Sequence, residues 1–198
     1  MSLFFIQKFE IMKKIILIST LTLSSLMSCQ SQSAQSKNTN TVPTDKSITP
    51  GTSHSKNPYY SRKDTTPLQI EDAEWEKILP SEVFEVARQK ATERPFTGKY
   101  WNYKGKGIYY CAACGNALFK SDAKFASSCG WPSFFQTIRS NSVAYQTDNA
   151  LGMERTEVLC GRCGGHLGHI FNDGPAPTGM RYCMNSIVLE FEPETKKK

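Results

Sequence analysis

With 198 residues the chain has room for one domain, or one domain with tails, and seven cysteines are too many to be incidental. The formal net charge of +6 invites a nucleic-acid partner, but it sits in the ends: residues 1–28 carry +2, residues 29–66 carry +3 and residues 196–198 carry +3. The remainder, 67–195, carries −2, so no nucleic-acid partner is expected.

Lys13-Lys14 leads into the apolar run Ile15-Ile16-Leu17-Ile18, which continues through Ser, Thr and Leu to Met27. A short basic region, an apolar run and small residues after it make a secretory signal peptide over residues 1–28. The run is too short and too rich in Ser and Thr for a membrane span. Leu26-Met27-Ser28-Cys29 resembles a bacterial lipobox, in which the cysteine is lipidated and becomes the new N-terminus. That reading places the protein in the cell envelope, exported and anchored to a membrane through Cys29; a plain secretory signal or an uncleaved anchor is the alternative. Residues 29–66 are Ser, Gln, Asn, Thr, Lys and Pro with almost no large apolar residue before Tyr59-Tyr60. Such a segment cannot offset its ordering entropy by burial, and it is expected to be a flexible tether in which His54 has no chemical role.

The folded domain is expected over residues 67–195, with a basic tail at 196–198. Glu71 or Asp72 can cap a short helix carrying Trp75, Ile78 and Leu79 that ends near Pro80. Ser81 can cap a second, with Val83, Phe84, Val86 and Ala87 along one side. Thr92-Glu93-Arg94-Pro95-Phe96-Thr97-Gly98 breaks the helical pattern. Short strands between turns follow at residues 107–110, 117–119, 142–145, 156–159 and 186–191. The fold class is therefore mainly β with helices at the front.

Cys111-Ala112-Ala113-Cys114-Gly115 and Cys160-Gly161-Arg162-Cys163-Gly164 are two matched CxxC-Gly turns, each after an apolar strand. Each can present two thiolates to one metal ion, so Cys111, Cys114, Cys160 and Cys163 are expected to bind a structural zinc ion. Two disulfides, or a thioredoxin-type redox centre at one pair, are the alternatives. His166 and His169 follow the second pair closely enough to be ligands, but that would leave the first pair unexplained. They are assigned elsewhere, against the alternative of hydrogen-bonded structural histidines.

Cys129 and Cys183 remain. Cys129 lies in a glycine-proline loop rich in aromatics, and Cys183 lies in Arg181-Tyr182-Cys183-Met184-Asn185-Ser186. If the latter is a strand, Arg181, Cys183 and Asn185 share a face, and the cation favours the thiolate. A nucleophile with a resolving partner fits, since a sulfenic acid condenses with a second thiol. A permanent structural disulfide, or a buried structural Cys183, fits as well.

Seven segments in this order resemble the B-type peptide-methionine (R)-S-oxide reductases: Arg94-Pro95-Phe96-Thr97-Gly98, Cys111-Ala112-Ala113-Cys114-Gly115, Cys129-Gly130-Trp131-Pro132-Ser133-Phe134, Cys160-Gly161-Arg162-Cys163, His166-Leu167-Gly168-His169-Ile170-Phe171, Asp173-Gly174-Pro175 and the Cys183 segment. The resemblance covers about residues 68–193. It implies a β-tent of two antiparallel sheets with N-terminal helices, acting as a monomer. It implies that Cys183 attacks the sulfur of methionine-R-sulfoxide, with Arg181 lowering its pKa. His169, with His166 and Asp173 nearby, would protonate the departing oxygen. Asn185, Trp131 and Phe171 would shape the pocket, and Cys129 would resolve the sulfenic acid as a Cys129–Cys183 disulfide. A thioredoxin-like donor would reduce that bond, and the process would repair oxidised protein. Two other function classes compete: a zinc-ribbon recognition module, and a thiol-disulfide exchanger without sulfoxide chemistry.

Overall fold

The computed structural model describes residues 54–195. The expected signal peptide, Cys29 and the basic tail lie outside them. Among the described residues two short helices come first, α1 (Asp72–Ile78) and α2 (Ser81–Ala87). Acidic Asp72 and Glu74 in the first turn of α1 and Lys77 in its last suit the helix dipole. Neither helix has a side-chain cap. Ser81, expected as a cap, is already helical; Pro80 takes the cap position at φ −54°, with no N–H to leave unpaired. Trp75 of α1 is fully buried, and Val83, Phe84, Val86 and Ala87 of α2 join it in the core.

Among the described residues nine strands build two antiparallel sheets. They are β1 (Gly107–Cys111), β2 (Ala117–Lys120), β3 (Lys124–Phe125), β4 (Ser133–Phe134), β5 (Val143–Asp148), β6 (Arg155–Cys160), β7 (His166–Phe171), β8 (Arg181–Met184) and β9 (Leu189–Pro193). The order is β2-β1-β9 in the smaller sheet and β3-β4-β8-β7-β6-β5 in the larger. Aromatic side chains fill the core. Phe119 of β2 stacks on Phe134 of β4 at 4.3 Å, and Tyr109 of β1 packs edge-on to Phe134 at 5.0 Å, so these contacts link the two sheets.

The expected strand at 186–191 is a correction. A 3-10 turn, Ser186–Val188, occupies its first half, because the chain crosses here from β8 in one sheet to β9 in the other. Glu93 holds that crossing by accepting from Ser186 N at 2.6 Å and Ile187 N at 3.0 Å. Strand β7 is an addition, since histidine and glycine hide its β character.

The expected tether is also corrected at its end, because residues 54–66 lie on the domain. Asn57 Nδ2 donates to Ala113 O at 2.8 Å and Ser61 N to Cys114 O at 3.0 Å. His54 stacks on Tyr60, and both bond the Glu190 carboxylate at 2.6 Å. The segment docks through hydrogen bonds and ring stacking, which an apolar count does not register. Arg162 of the second CxxC turn, 4% exposed, fastens the segment by donating to Tyr59 O at 2.8 Å and links to the first turn by donating to Cys114 O at 2.5 Å. Arg162→Ala leaves buried carbonyls unpaired and is expected to cost about 2–4 kcal/mol. Equilibrium urea unfolding checks this; a change below about 0.5 kcal/mol, the size of an ordinary surface substitution, contradicts it. Among the described residues no helix is long and apolar enough to cross a membrane.

Candidate active site and metal centre

The six described cysteines fall into two groups. Cys111 ends β1 and Cys160 ends β6, and each opens a tight turn. Gly115 N donates to Cys111 O at 2.8 Å, and Gly164 N to Cys160 O at 2.9 Å. The four Sγ atoms of Cys111, Cys114, Cys160 and Cys163 lie within 4.8 Å of one another, and all four residues are buried. Cys111 Sγ is 3.8 Å from Cys163 Sγ, and Cys114 Sγ is 3.6 Å from Cys160 Sγ. Thiolates arranged tetrahedrally around a metal at about 2.3 Å sit about 3.8 Å apart, so the set fits one thiophilic metal ion. Because β1 and β6 belong to different sheets, such an ion ties the two sheets together.

The second group is built across the larger sheet. Residues opposite one another in neighbouring strands share a face. Phe125 of β3 faces Ser133 of β4, Ser133 faces Cys183 of β8, Cys183 faces His169 of β7, and His169 faces Glu157 of β6. His166 and His169 are three positions apart, which in a regular strand puts them on opposite faces. A register shift leaves Leu167 as an extra residue, since Val158 faces Gly168 and Leu159 faces His166. The bulge turns both imidazoles to one side, where their rings pack edge-on at 5.5 Å. Gly168 lets this happen, because a Cβ there would collide with the Cys183 carbonyl.

Cys129, half-buried in the loop before β4, brings its Sγ to 3.5 Å from Cys183 Sγ. Ser127 Oγ donates to Cys129 Sγ at 3.1 Å, and Ser133 Oγ lies 3.4 Å from it. The two thiols ionise as a pair holding one proton. Cys129 is drawn down to about 4, first because Cys183 bonds to it and then through Ser127 and Ser133. Cys183 is pushed up, first by that same bond and then by burial. Arg181 pulls Cys183 down, in the expected direction, but more weakly than the adjacent thiol and burial push it up.

Arg181 shares the face of Cys183 but is committed to Asp173, donating from Nε and an Nη at 2.8 Å each. Its guanidinium also lies over the Phe171 ring at 4.4 Å. Asp173 therefore partners the arginine rather than a histidine. The residue holding His169 is Asp148, at the end of β5, with Oδ2 2.7 Å from His169 Nε2. The Asp148 carboxyl is held down to about 2, first by the Ala150 N–H and then by His169. His166 Nδ1 lies 2.6 Å from Glu157 Oε1, and Lys90 Nζ donates to Glu157 Oε2 at 2.8 Å. His166 and Glu157 are both buried, and burial lowers the His166 pKa against the pull of Glu157. The partnered Nδ1 then carries the proton, and Nε2 is left buried without a partner among the described residues.

Asn185 is off the expected face, because β8 ends at Met184. Its Oδ1 accepts from Glu93 N at 3.1 Å and its Nδ2 donates to Leu167 O at 3.1 Å, so it braces the site from behind. Trp131 is half-buried beside Cys129, its Nε1 donating to Glu93 O at 3.2 Å. Sequence reasoning missed Asp148, Glu157, Glu93, Ser127 and Ser133. No spacing marks them, and the only available hint was that buried histidines need partners.

Residues 79–193 match the family model described as SelR domain. The chain is 54% identical over 131 residues to the peptide methionine sulfoxide reductase MsrB of Methanosarcina barkeri, covering 66% of this chain and 92% of that protein. It is 54% identical over 123 residues to the protein of the same name from Leptospira interrogans, covering 62% and 94%. The figure for the one from Agrobacterium fabrum is 52% over 122 residues, covering 62% and 90%.

Proposed function

The chain belongs to the SelR domain family and is an oxidoreductase of it, and from that premise we propose that it reduces methionine-R-sulfoxide in oxidised proteins through Cys183 and Cys129. The observation that carries the reading is the pair of sulfurs 3.5 Å apart with His169 in register beside one of them. A sulfoxide is a weak electrophile until its oxygen is protonated, so a thiolate and an acid must meet at one substrate. Moving the shared proton to Cys129 leaves the charge on Cys183, which faces Arg181 and His169. Cys183 Sγ attacks the substrate sulfur, and His169, oriented by Asp148, protonates the departing oxygen. His166 Nε2, on the same face, can accept a hydrogen bond from a water. The S–O bond breaks as oxygen passes to Cys183, giving methionine and a Cys183 sulfenic acid. Cys129 then attacks the sulfenic sulfur and expels water, forming a disulfide. The sulfurs must close by about 1.5 Å to reach a bond near 2.0 Å. A dithiol protein of thioredoxin type accepts the bond by exchange and leaves with its own disulfide.

Trp131 and Phe171 stand near the row as apolar walls for the substrate methyl group. Zinc is the ion that four thiolates at this spacing suit best, and its part is to hold the sheets together. With export and a lipid on Cys29, the repair would take place in the cell envelope. The test of the reaction is turnover of separated R and S sulfoxide epimers by the domain, with metal content measured on the same sample. Reduction confined to the S epimer, or none, defeats it.

Cys129→Ser is expected to yield one methionine per enzyme in a single turnover and to keep cycling with a small thiol. Cycling with a thioredoxin-like protein should stall. Rapid-quench product counts check this, and unchanged protein-driven cycling shows that the sulfenic acid is resolved elsewhere.

A further inference from the structure

Beside the redox pair lies a groove of about 310 Å³ that the chemistry above does not use. One wall is the loop carrying Trp101, Tyr103, Lys104 and Lys106; the other runs from Ser121 to Ser127 and includes Asp122, Lys124 and Phe125. Three observations join it to the site. Ser127, at its end, donates to Cys129 Sγ. Phe125 stands two strands from Cys183 on the same sheet face, with Ser133 between them. Trp101 packs edge-on at 5.3 Å to Phe96, which is 53% exposed, and Phe96 N donates to Gly130 O of the Cys129 loop at 2.7 Å.

The groove's charge is opposite to that of its domain. Residues 67–195 carry −2, yet Lys104, Lys106 and Lys124 line this surface against Asp122 alone. Lys124 is anchored to the wall by a bond to Trp101 O at 3.2 Å. Two strand spacings separate Phe125 from Cys183, or about 10 Å, which an extended chain covers in about three residues. An apolar floor of Trp101, Tyr103 and Phe125 with lysines around it suits an extended acidic polypeptide.

We infer that this groove binds the part of an oxidised polypeptide flanking its methionine sulfoxide, and that it favours aspartate or glutamate about three residues from that methionine. The inference rests on the proposed reaction and adds a substrate class to it. Peptides with one methionine-R-sulfoxide and either aspartates or lysines at that distance, on each side in turn, are compared with N-acetyl-methionine-R-sulfoxide, using dithiothreitol as reductant. On one side the aspartate peptide is expected to exceed the lysine peptide in kcat/KM by about fivefold at low salt, the scale of exposed ion pairs. The difference should shrink as salt rises. The double variant Lys104→Glu, Lys106→Glu should reverse the preference and leave turnover of N-acetyl-methionine-R-sulfoxide unchanged.

Equal turnover of the peptides by the native protein overturns the inference, as does a preference that survives the charge reversal. A reversal that instead raises KM for a protein dithiol donor, with peptide turnover flat, assigns the groove to the reductant and also overturns it. Absence of turnover on N-acetyl-methionine-R-sulfoxide is a separate result, which defeats the reaction itself and this inference with it.

Discussion

Cys183→Ser is expected to abolish sulfoxide reduction, by more than about 10⁴-fold, the scale on which loss of an enzyme nucleophile acts. The substitution changes one atom on β8, leaving the strand pairing and the four-cysteine cluster in place. A serine hydroxyl is almost entirely un-ionised at neutral pH and does not accept the sulfoxide oxygen. The experiment also decides between the two sulfurs, because the bonds from Cys183, Ser127 and Ser133 favour the charge on Cys129. Were Cys129 the attacking atom, Cys183→Ser would still deliver one methionine per enzyme and Cys129→Ser would deliver none. Geometry favours Cys183: it lies in register with His169, the proposed proton donor, and shares a face with Arg181. The side chains bonded to the Cys129 sulfur besides Cys183 are the hydroxyls of Ser127 in its loop and Ser133 of β4, and neither is an acid able to protonate a sulfoxide. Single-turnover product counts with intact-protein mass spectrometry read both outcomes. An unmodified thiol at residue 183 after substrate treatment removes the nucleophile assignment.

Removing the metal ion is expected to unfold the domain or to lower its Tm by at least about 10 °C, since ~3 kcal/mol or more is at stake and each kcal/mol moves a domain of this size by about 3 °C. The four thiolates come from turns after β1 and β6, which lie in different sheets. The aromatic core joins those sheets through Phe119, Phe134 and Tyr109. At the cysteine end a bound ion would be the direct tie, and Arg162 fastens residues 54–66 beside the four-cysteine cluster. Structural zinc contributes about 10–16 kcal/mol in small domains, against a total stability of about 5–15 kcal/mol for most proteins. Cys160→Ser breaks the tetrahedron in the same way and should mimic the chelator. Thermal melts with metal analysis check both, and an apo protein melting with the metal-loaded one shows that the cluster holds nothing together. Cys183→Ser should retain one metal ion per chain, which separates loss of chemistry from loss of fold.

The ligand set was readable before any coordinates because its information is local. Two CxxC-Gly turns of the same spacing state their own geometry, and four matched cysteines leave few other arrangements. The helices around Trp75 and Phe84 and most of the strands were readable for the same reason, since apolar periodicity is a property of neighbours in sequence. The two leftover thiols were identifiable by elimination, but their partnership was not, because 54 residues separate Cys129 from Cys183. Only sheet pairing brings β4 and β8 side by side and sets the distance between the sulfurs.

The histidines show the division most sharply. As letters, His166 and His169 are three apart and invite a helical or metal reading. The bulge at Leu167 and the missing side chain of Gly168 put both on the face of Cys183. The acids that hold them, Asp148 and Glu157, come from other strands, while Asp173, the acid nearest in sequence, is taken by Arg181. Asn185 was misplaced by extending strand alternation one residue beyond the point where the chain leaves the sheet. What the sequence determined alone was therefore what repeats or recurs within a few residues: the paired cysteine turns and the core positions, which leave Cys129 and Cys183 standing apart. The tertiary structure decided which face each side chain takes and which acid meets which base, because those depend on strand register, and register is set by the packing of the whole sheet.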